Sequence, residues 1–495
     1  MKLSQLLNVL PETTSISGNT DLDINGVVYD PLRVENGYLY VAINIYTQLD
    51  KIEHPDGHVF VDKAIEAGAT AVILDHDMPV PAGITKVVVP NTRLALALIA
   101  GEFYGHPSKK LKLLGVTGTN GKTTTAHVIE AILMEQFRMG LIGTLYTKID
   151  GKIKKSKDTT PEPPDLQEMF QLMIDNNCTH AVMEVSSHGV DFHRIDGVTY
   201  EVGGWTNFTQ DHLDYHGSME EYRECKLRWV RSLDASKHMA INVDDPSVDH
   251  FRNASKAKVI TYGLENEAEV TAKNVELSGS GTRFTLVTPQ GEIDINAKLR
   301  GQFNLYNMLC GVAMCLPLGL ELKAIKAGLE KPIIVFGRFH PIERGQDFAV
   351  IIDYAHTPDG LVKVLDAARA TSPKRLVTVF GCGGDRDRAK RPQMAKVVDE
   401  KSDRFIITDD NPRTEDPKQI IDDILTGVSS GEDKYDIIHD RGLAIETAIN
   451  EAQPGDMIII AGKGHETTQT LKDTTIEFND VEVADAFVAK RLGQD

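Results

Sequence analysis

The sequence predicts an α/β protein of about three domains, and three observations carry that prediction. A chain of 495 residues is too long for a single hydrophobic core. Short apolar runs recur along it, each followed by a polar loop and then by apolar residues at helical spacing. One of those loops, Gly118-Thr-Asn-Gly-Lys-Thr-Thr124, has the composition of a phosphate-binding turn between a strand and a helix.

Residues 1–108 form the first region. Its apolar runs predict strands over 38–43, 71–74 and 86–89, with helices over 59–67 and 91–104. His106-Pro107-Ser108 reads as a linker. The second region, 109–332, opens with a strand over 111–116, the glycine-rich loop and a helix over 127–134. Glycines at 118 and 121 let backbone N–H groups approach phosphate oxygens, and the helix N-terminus adds partial positive charge. Lys122 can reach terminal phosphates and Thr123 can hold Mg²⁺. Val116 stands where the strict pattern has its first glycine, so the loop is a variant form. Strands over 180–185 and 202–208 end in Ser186-Ser-His-Gly189 and Thr209-Gln-Asp-His212. The third region, 333–495, follows a break at Glu330-Lys-Pro332. It has strands over 348–352, 376–380, 405–408 and 457–460, each ending in a polar loop, which together mark one binding face.

Composition restricts function. A net charge of −19 argues against a general nucleic-acid or anionic-membrane surface, so anionic substrates must meet local cationic clusters. Arg338, Arg386, Arg388, Lys390, Arg391 and Arg413 supply such a cluster in the third region; the plain alternative is a solvated basic loop. The five cysteines are scattered, without zinc or disulfide spacing, which suits a reducing cytosol. The N-terminus lacks a signal-peptide apolar stretch and no apolar run reaches membrane-span length, so a cytoplasmic location is expected.

Three further residues are candidates for chemistry. Glu184 ends a buried strand, where it can hold Mg²⁺ or cap a helix. Lys226 lies within an apolar stripe of the helix predicted over 219–233. Burial would lower its pKa and make it an amine that reacts with carbon dioxide, whereas a snorkelling ammonium is the commoner outcome. His212 reads as a metal ligand or as a satisfied core histidine.

Taken together, these segments resemble the Mur ligases, and within them the MurE branch, which adds the third residue of the peptidoglycan stem peptide. The resemblance rests on Gly118–Thr124, Thr159-Thr-Pro161, Glu184-Val-Ser-Ser-His-Gly189, the segment from Thr206 to Gly217, Asn304-Leu-Tyr-Asn307, Gly337-Arg-Phe339, Asp353-Tyr-Ala-His-Thr-Pro358, the segment from Gly381 to Arg388, Asp410-Asn-Pro-Arg413 and Gly462-Lys-Gly-His-Glu466. It implies a small α/β N-terminal domain that binds a UDP sugar, a central ATPase-like domain with a parallel sheet, and a doubly wound C-terminal domain. The implied reaction is ATP-dependent amide formation through an acyl phosphate, joining meso-diaminopimelate to UDP-N-acetylmuramoyl-L-alanyl-D-glutamate. By the same resemblance, Gly118, Thr119, Asn120, Gly121, Lys122, Thr123 and Thr124 would hold ATP with Asn304, Asn307, Arg338 and Asp353. Thr123 and Glu184 would hold one Mg²⁺, and His212 with N6-carboxylated Lys226 a second. Thr159, Thr160, Ser186 and Arg194 would bind the nucleotide-sugar dipeptide. Arg386, Asp410, Asn411, Pro412, Arg413, Gly462 and Glu466 would bind the amino acid. The implied protein acts as a monomer, with neither nucleic acid nor membrane as partner.

The N-terminal region departs from that pattern. Asp30-Pro31-Leu32 replaces Asp-Ser-Arg, and residues 44–55 replace a shorter glycine-containing loop. Phe192 stands in place of a polar glutamine, and Phe336 and His340 in place of proline and glutamate. Two other readings follow. One is the same chemistry on a different carboxylate; the other is a nucleotide switch that hydrolyses ATP without ligation.

Overall fold

The computed structural model describes residues 1–43, 56–279 and 281–494. The expected replacement loop at 44–55 lies outside the described residues. Three α/β units follow one another along the chain. In the first, Ser15–Ser17, Thr85–Val88, Ala69–Leu74, Tyr38–Val41 and Gly26–Val28 form one sheet in that spatial order. All neighbours run parallel except the antiparallel edge strand Ser15–Ser17. The helix predicted over 91–104 spans Thr92–Phe103 because the Asn91 side chain accepts from the Leu94 N–H and caps it.

The central sheet has eight strands. Lys112–Thr117, which leads into the glycine-rich loop, lies between His180–Glu184 and Val202–Trp205, all parallel. The chain crosses to opposite sides of that strand, so its carboxyl end is a topological switch point, where an open α/β sheet offers a crevice. The edge continues through Met139–Ile142 into an antiparallel hairpin, Tyr146–Ile149 and Lys152–Lys155. Helix Gln302–Cys315 packs with helix Lys122–Leu133 over one face of the sheet. Gly311 permits the contact, since a Cβ there would meet Val128 at 2.6 Å. A separate antiparallel sheet, Thr271–Ser278, Gly281–Thr288 and Gly291–Ala297, was not anticipated from the sequence.

The third unit is a six-stranded sheet in the order His340–Ile342, Ala349–Asp353, Met457–Ala461, Leu376–Phe380, Arg404–Ile407 and Tyr435–Ile437. It is parallel apart from the first strand and carries an apolar core on each face. Among the described residues, no helix is long and apolar enough to cross a membrane. All five cysteines are buried and unpaired.

Candidate active site

The carboxyl ends of the central and C-terminal strands face each other across a cavity of about 450 Å³. The glycine-rich loop forms its floor. Gly118 and Gly121 have φ of 143° and 88°, in the region that favours glycine. A Cβ on Gly121 would lie 2.3 Å from Asn307 Oδ1, so the close approach of loop and helix demands its absence. Lys122 Nζ donates to the Gly118 and Thr119 carbonyls at 3.0 and 2.9 Å. Burial lowers its pKa, and the nearby Glu184 carboxylate opposes that effect. Thr123 Oγ1 donates to Glu184 Oε2 at 2.9 Å. Thr144 completes this group by donating its N–H to Oε1 at 2.8 Å and its hydroxyl to Oε2 at 3.0 Å. Glu184 thus gathers one hydroxyl from the first turn of helix Lys122–Leu133 and another from the loop at Thr144.

Beside this group, the Thr159 and Thr144 hydroxyls lie 3.0 Å apart. Thr160 Oγ1 donates to the Glu184 carbonyl and contacts Ser186 Oγ at 3.1 Å. Arg194 donates to the Thr160 carbonyl at 2.8 Å and pairs with Asp158 and Glu162 at 3.2 and 2.8 Å. Thr159, Ser186 and Arg194 line the cavity, whereas Thr160 is fully buried behind them. The Phe192 ring also lines it, with the guanidinium of Arg93 stacked 4.5 Å from its centroid.

His212 lines the cavity in a left-handed conformation, φ 54°. Burial pushes its pKa down to about 4 despite the adjacent Asp211 carboxylate. Lys226 does not line the cavity. Its side chain is buried behind the loop, where Nζ donates to the Gly118 carbonyl at 3.0 Å and lies 4.7 Å from the Tyr222 ring centroid. Burial first, and then the Lys122 ammonium, push its pKa down to about 7. The snorkelling alternative is therefore not what the fold adopts.

The C-terminal loops form the opposite wall. Asp353 accepts from the N–H groups of Phe339 and Ala355 at 2.6 and 2.7 Å. Arg338 stacks on Tyr354, 4.3 Å from its centroid. Asn304, on helix Gln302–Cys315 of the central unit, accepts from Asn307 Nδ2 at 3.1 Å. Arg413 has φ 52°, and its Nη1 donates to the Gly384 carbonyl at 2.8 Å. Asn411 Nδ2 and Lys463 Nζ each donate to Glu466 Oε2 at 2.8 Å. Asp410 would meet a Cβ on Gly462 at 2.7 Å, and Lys463, Arg441 and Arg413 outweigh its burial to keep its pKa low. Arg386, Arg413, Asp410, Asn411, Gly462 and Glu466 line the cavity; Pro412 supports the turn without lining it. The predicted cationic cluster divides. Arg338, Lys390, Arg386 and Arg413 reach the cavity, but Arg391 is fully buried against Glu415 and Asp423, and Arg388 pairs with Asp423 outside it.

Sequence reasoning missed Thr144, Asp158, Glu162 and Lys463. Lys463 carried a visible signal, a lysine between two glycines at a strand end. The others acquire their meaning only from partners distant in the chain. The two walls are joined directly, with Asn120 Nδ2 donating to Asp359 Oδ2 at 2.9 Å and Gln210 Nε2 to Asp387 Oδ2 at 3.1 Å.

A Gly-Lys-Thr loop at the switch point of a parallel sheet, closed over by the loops of a second α/β sheet, defines the class: a multidomain P-loop protein with an interdomain cleft. The match extends to family level. Residues 116–315 match the Mur ligase middle domain and residues 337–464 the Mur ligase glutamate ligase domain. The chain is 42% identical over 491 residues to the UDP-N-acetylmuramoyl-L-alanyl-D-glutamate--2,6-diaminopimelate ligase of Bacillus licheniformis, covering 98% of each chain. It is 41% identical over 501 residues to the protein of that name from Listeria monocytogenes, covering all of both. A solved structure of a ligase of that name superposes with a TM-score of 0.68 at 31% identity, covering 99% of this chain and all of the other. The chain belongs to the Mur ligase family.

Proposed function

We propose that this chain joins meso-diaminopimelate to UDP-N-acetylmuramoyl-L-alanyl-D-glutamate, using ATP to activate the dipeptide carboxylate. The observation that carries this reading is a single cavity lined by both the phosphate loop and the guanidinium-bearing Arg386 and Arg413 of the opposite wall. The names and full-length similarity of the relatives support it. ATP would lie along Gly118–Thr124, with Asn307, Arg338 and Asp353 against the nucleotide and Asn304 holding Asn307. Lys122, which rests on the Gly118 and Thr119 carbonyls, would turn its ammonium to the transferred phosphoryl group. It offsets charge that grows during transfer.

The Thr123–Glu184–Thr144 group fits Mg²⁺, because it offers hard oxygen donors around one carboxylate. Lys226 fits carbamylation, because burial lowers its pKa to about 7 and leaves a substantial neutral fraction of the amine at neutral pH; His212 is its companion ligand in the proposed second site. When bound, these ions neutralise phosphate charge and orient the carboxylate. Thr159, Ser186 and Arg194 orient the dipeptide, with Thr160 positioning Ser186 and Arg194. Its terminal carboxylate attacks the γ-phosphorus, releasing ADP and leaving an acyl phosphate. The amine of the second substrate attacks the acyl carbon, and phosphate leaves. Arg413 and Arg386 hold a carboxylate of that substrate, while Asp410, Asn411 and Glu466 accept and direct its ammonium end. Closure of the two walls supplies proximity. The proposed domain limits are 108 and 332, and the chain acts as a monomer in the cytoplasm.

Phosphate release from ATP tests this reading. Release should require both the UDP-linked dipeptide and meso-diaminopimelate. Release without an amino acid would favour the nucleotide switch, and release with another carboxylate in place of the dipeptide would favour a divergent ligase. Phe192, an apolar ring in the dipeptide wall, is the observation that keeps that second ligase reading in view.

A further inference from the structure

One cluster of ligating side chains takes no part in the proposed reaction and lines no part of the cleft. It sits at the rim of the N-terminal sheet. His58 belongs to the turn Gly57–Phe60, and Asp75 and His76 directly follow strand Ala69–Leu74. The His58 ring is almost fully buried, and its Nδ1 lies 2.6 Å from Asp56 Oδ1. Against a carboxylate, Nδ1 carries the proton, so Nε2 presents its lone pair. That lone pair accepts a hydrogen bond from the Asp75 N–H at 3.2 Å, with Asp75 Oδ1 also 3.2 Å away, so a bound ion would take the place of that N–H. His76 Nδ1 lies 2.6 Å from the same Asp75 oxygen, and the two imidazole centroids are 4.3 Å apart. One ligand atom from each of the three residues falls within 4.8 Å of the others.

We propose that His58 Nε2, Asp75 and His76 Nδ1 form a divalent transition-metal site, with Asp56 orienting His58 from behind. Two imidazoles and one carboxylate suit Zn²⁺ and ions of similar softness, whereas Mg²⁺ and Ca²⁺ prefer all-oxygen sets. A carboxylate holding the far N–H of a ligating histidine is the usual supporting arrangement of such sites. Tetrahedral zinc spaces its ligand atoms about 3.3 Å apart, so His58 can stay while the half-exposed His76 ring swings outward. The fourth position opens to solvent. The ion would tie the turn Gly57–Phe60 to the carboxyl end of Ala69–Leu74, on the rim where a parallel sheet binds its ligands.

Calorimetric titration of the EDTA-stripped, full-length protein with Zn²⁺ tests the site, with Co²⁺ visible absorption reporting coordination geometry. The expected result is one equivalent bound at roughly micromolar affinity or tighter, tetrahedral Co²⁺ bands, and a higher thermal midpoint with Zn²⁺. Asp75→Asn and His76→Ala, both at partly exposed positions, should each weaken binding about tenfold or more and remove the Co²⁺ bands. Excess Mg²⁺, which would saturate the metal sites proposed in the cleft, should leave both readouts unchanged, separating this site from the cleft. Zn²⁺ binding that survives His76→Ala and Asp75→Asn unaltered, binding abolished by excess Mg²⁺, or no binding by the unmodified protein would each overturn the proposal.

Discussion

Lys226 shows what a residue owes to its neighbours. Its apolar stripe was legible from helical spacing, but its destination, the Gly118 carbonyl behind the phosphate loop, was not. Its pKa near 7 sets a pH dependence. Between about pH 7 and 10 the unfolded chain holds a proton that the folded chain lacks, so stability should rise with pH across that window. Below it, the cost of burying the charge is fully present. In buffer free of carbon dioxide, the thermal midpoint should climb from pH 7 to 9.5, and Lys226→Met should flatten that climb; an unchanged slope would remove the burial argument. Lys122→Ala should cut ligation a hundredfold or more, since one transition-state charge contact is worth about 3 kcal/mol. Near-normal ligation would refute the phosphate-loop reading. Arg413→Ala should abolish most of the preference for meso-diaminopimelate over lysine, about tenfold to a hundredfold, with little change in ATP affinity. Equal kcat/KM for the two amino acids in the unmodified protein would sink the assignment. Arg391 marks the limit of residue-level reading: its charge suggested a substrate contact, yet two acidic side chains from another loop and helix consume it.

At the scale of elements, existence was clearer than boundaries. The helix predicted over 127–134 starts at Lys122, because Gly121 takes the left-handed conformation that ends the loop and three consecutive threonines then form the first turn. Threonines read as poor helix formers, but here tertiary packing overrides propensity. The same glycine links loop to helix Gln302–Cys315. Gly121→Ala would strain a φ of 88° and drive a methyl group to 2.3 Å from Asn307 Oδ1. The expected result is a loss of about 1–3 kcal/mol in chemical denaturation, together with weakened nucleotide binding. Wild-type stability and affinity would show that the loop relaxes freely. The antiparallel sheet escaped notice because its two flanking strands, Thr271–Ser278 and Gly291–Ala297, are mostly exposed, and only the middle strand, Gly281–Thr288, carries a buried alternation, at Thr282, Phe284 and Leu286.

At the scale of the whole molecule, the units meet through both apolar and polar contacts, Phe303 of the central unit packing 5.8 Å from Phe339 of the C-terminal one. Tyr29 OH donates to Asp165 at 2.9 Å, and Arg33 pairs with the same carboxylate and with Glu168. These tie the N-terminal unit to the helix beside the dipeptide wall. Exposed pairs of this kind contribute up to about 1 kcal/mol, so Asp165→Ala should raise the KM for the UDP-linked dipeptide a few-fold while sparing the KM for ATP. Equal changes in both would assign Asp165 a purely structural role. The strands that lead into the phosphate loop, into Ser186 and into the C-terminal wall were readable from the chain itself, as was the loop, because hydrophobic periodicity, glycine placement and short motifs are local properties. Tertiary structure alone decided which arginines face substrate, which hydroxyls gather on Glu184, and that His58, Asp75 and His76 converge. Those outcomes depend on partners brought together from distant segments, and no local pattern encodes a distance.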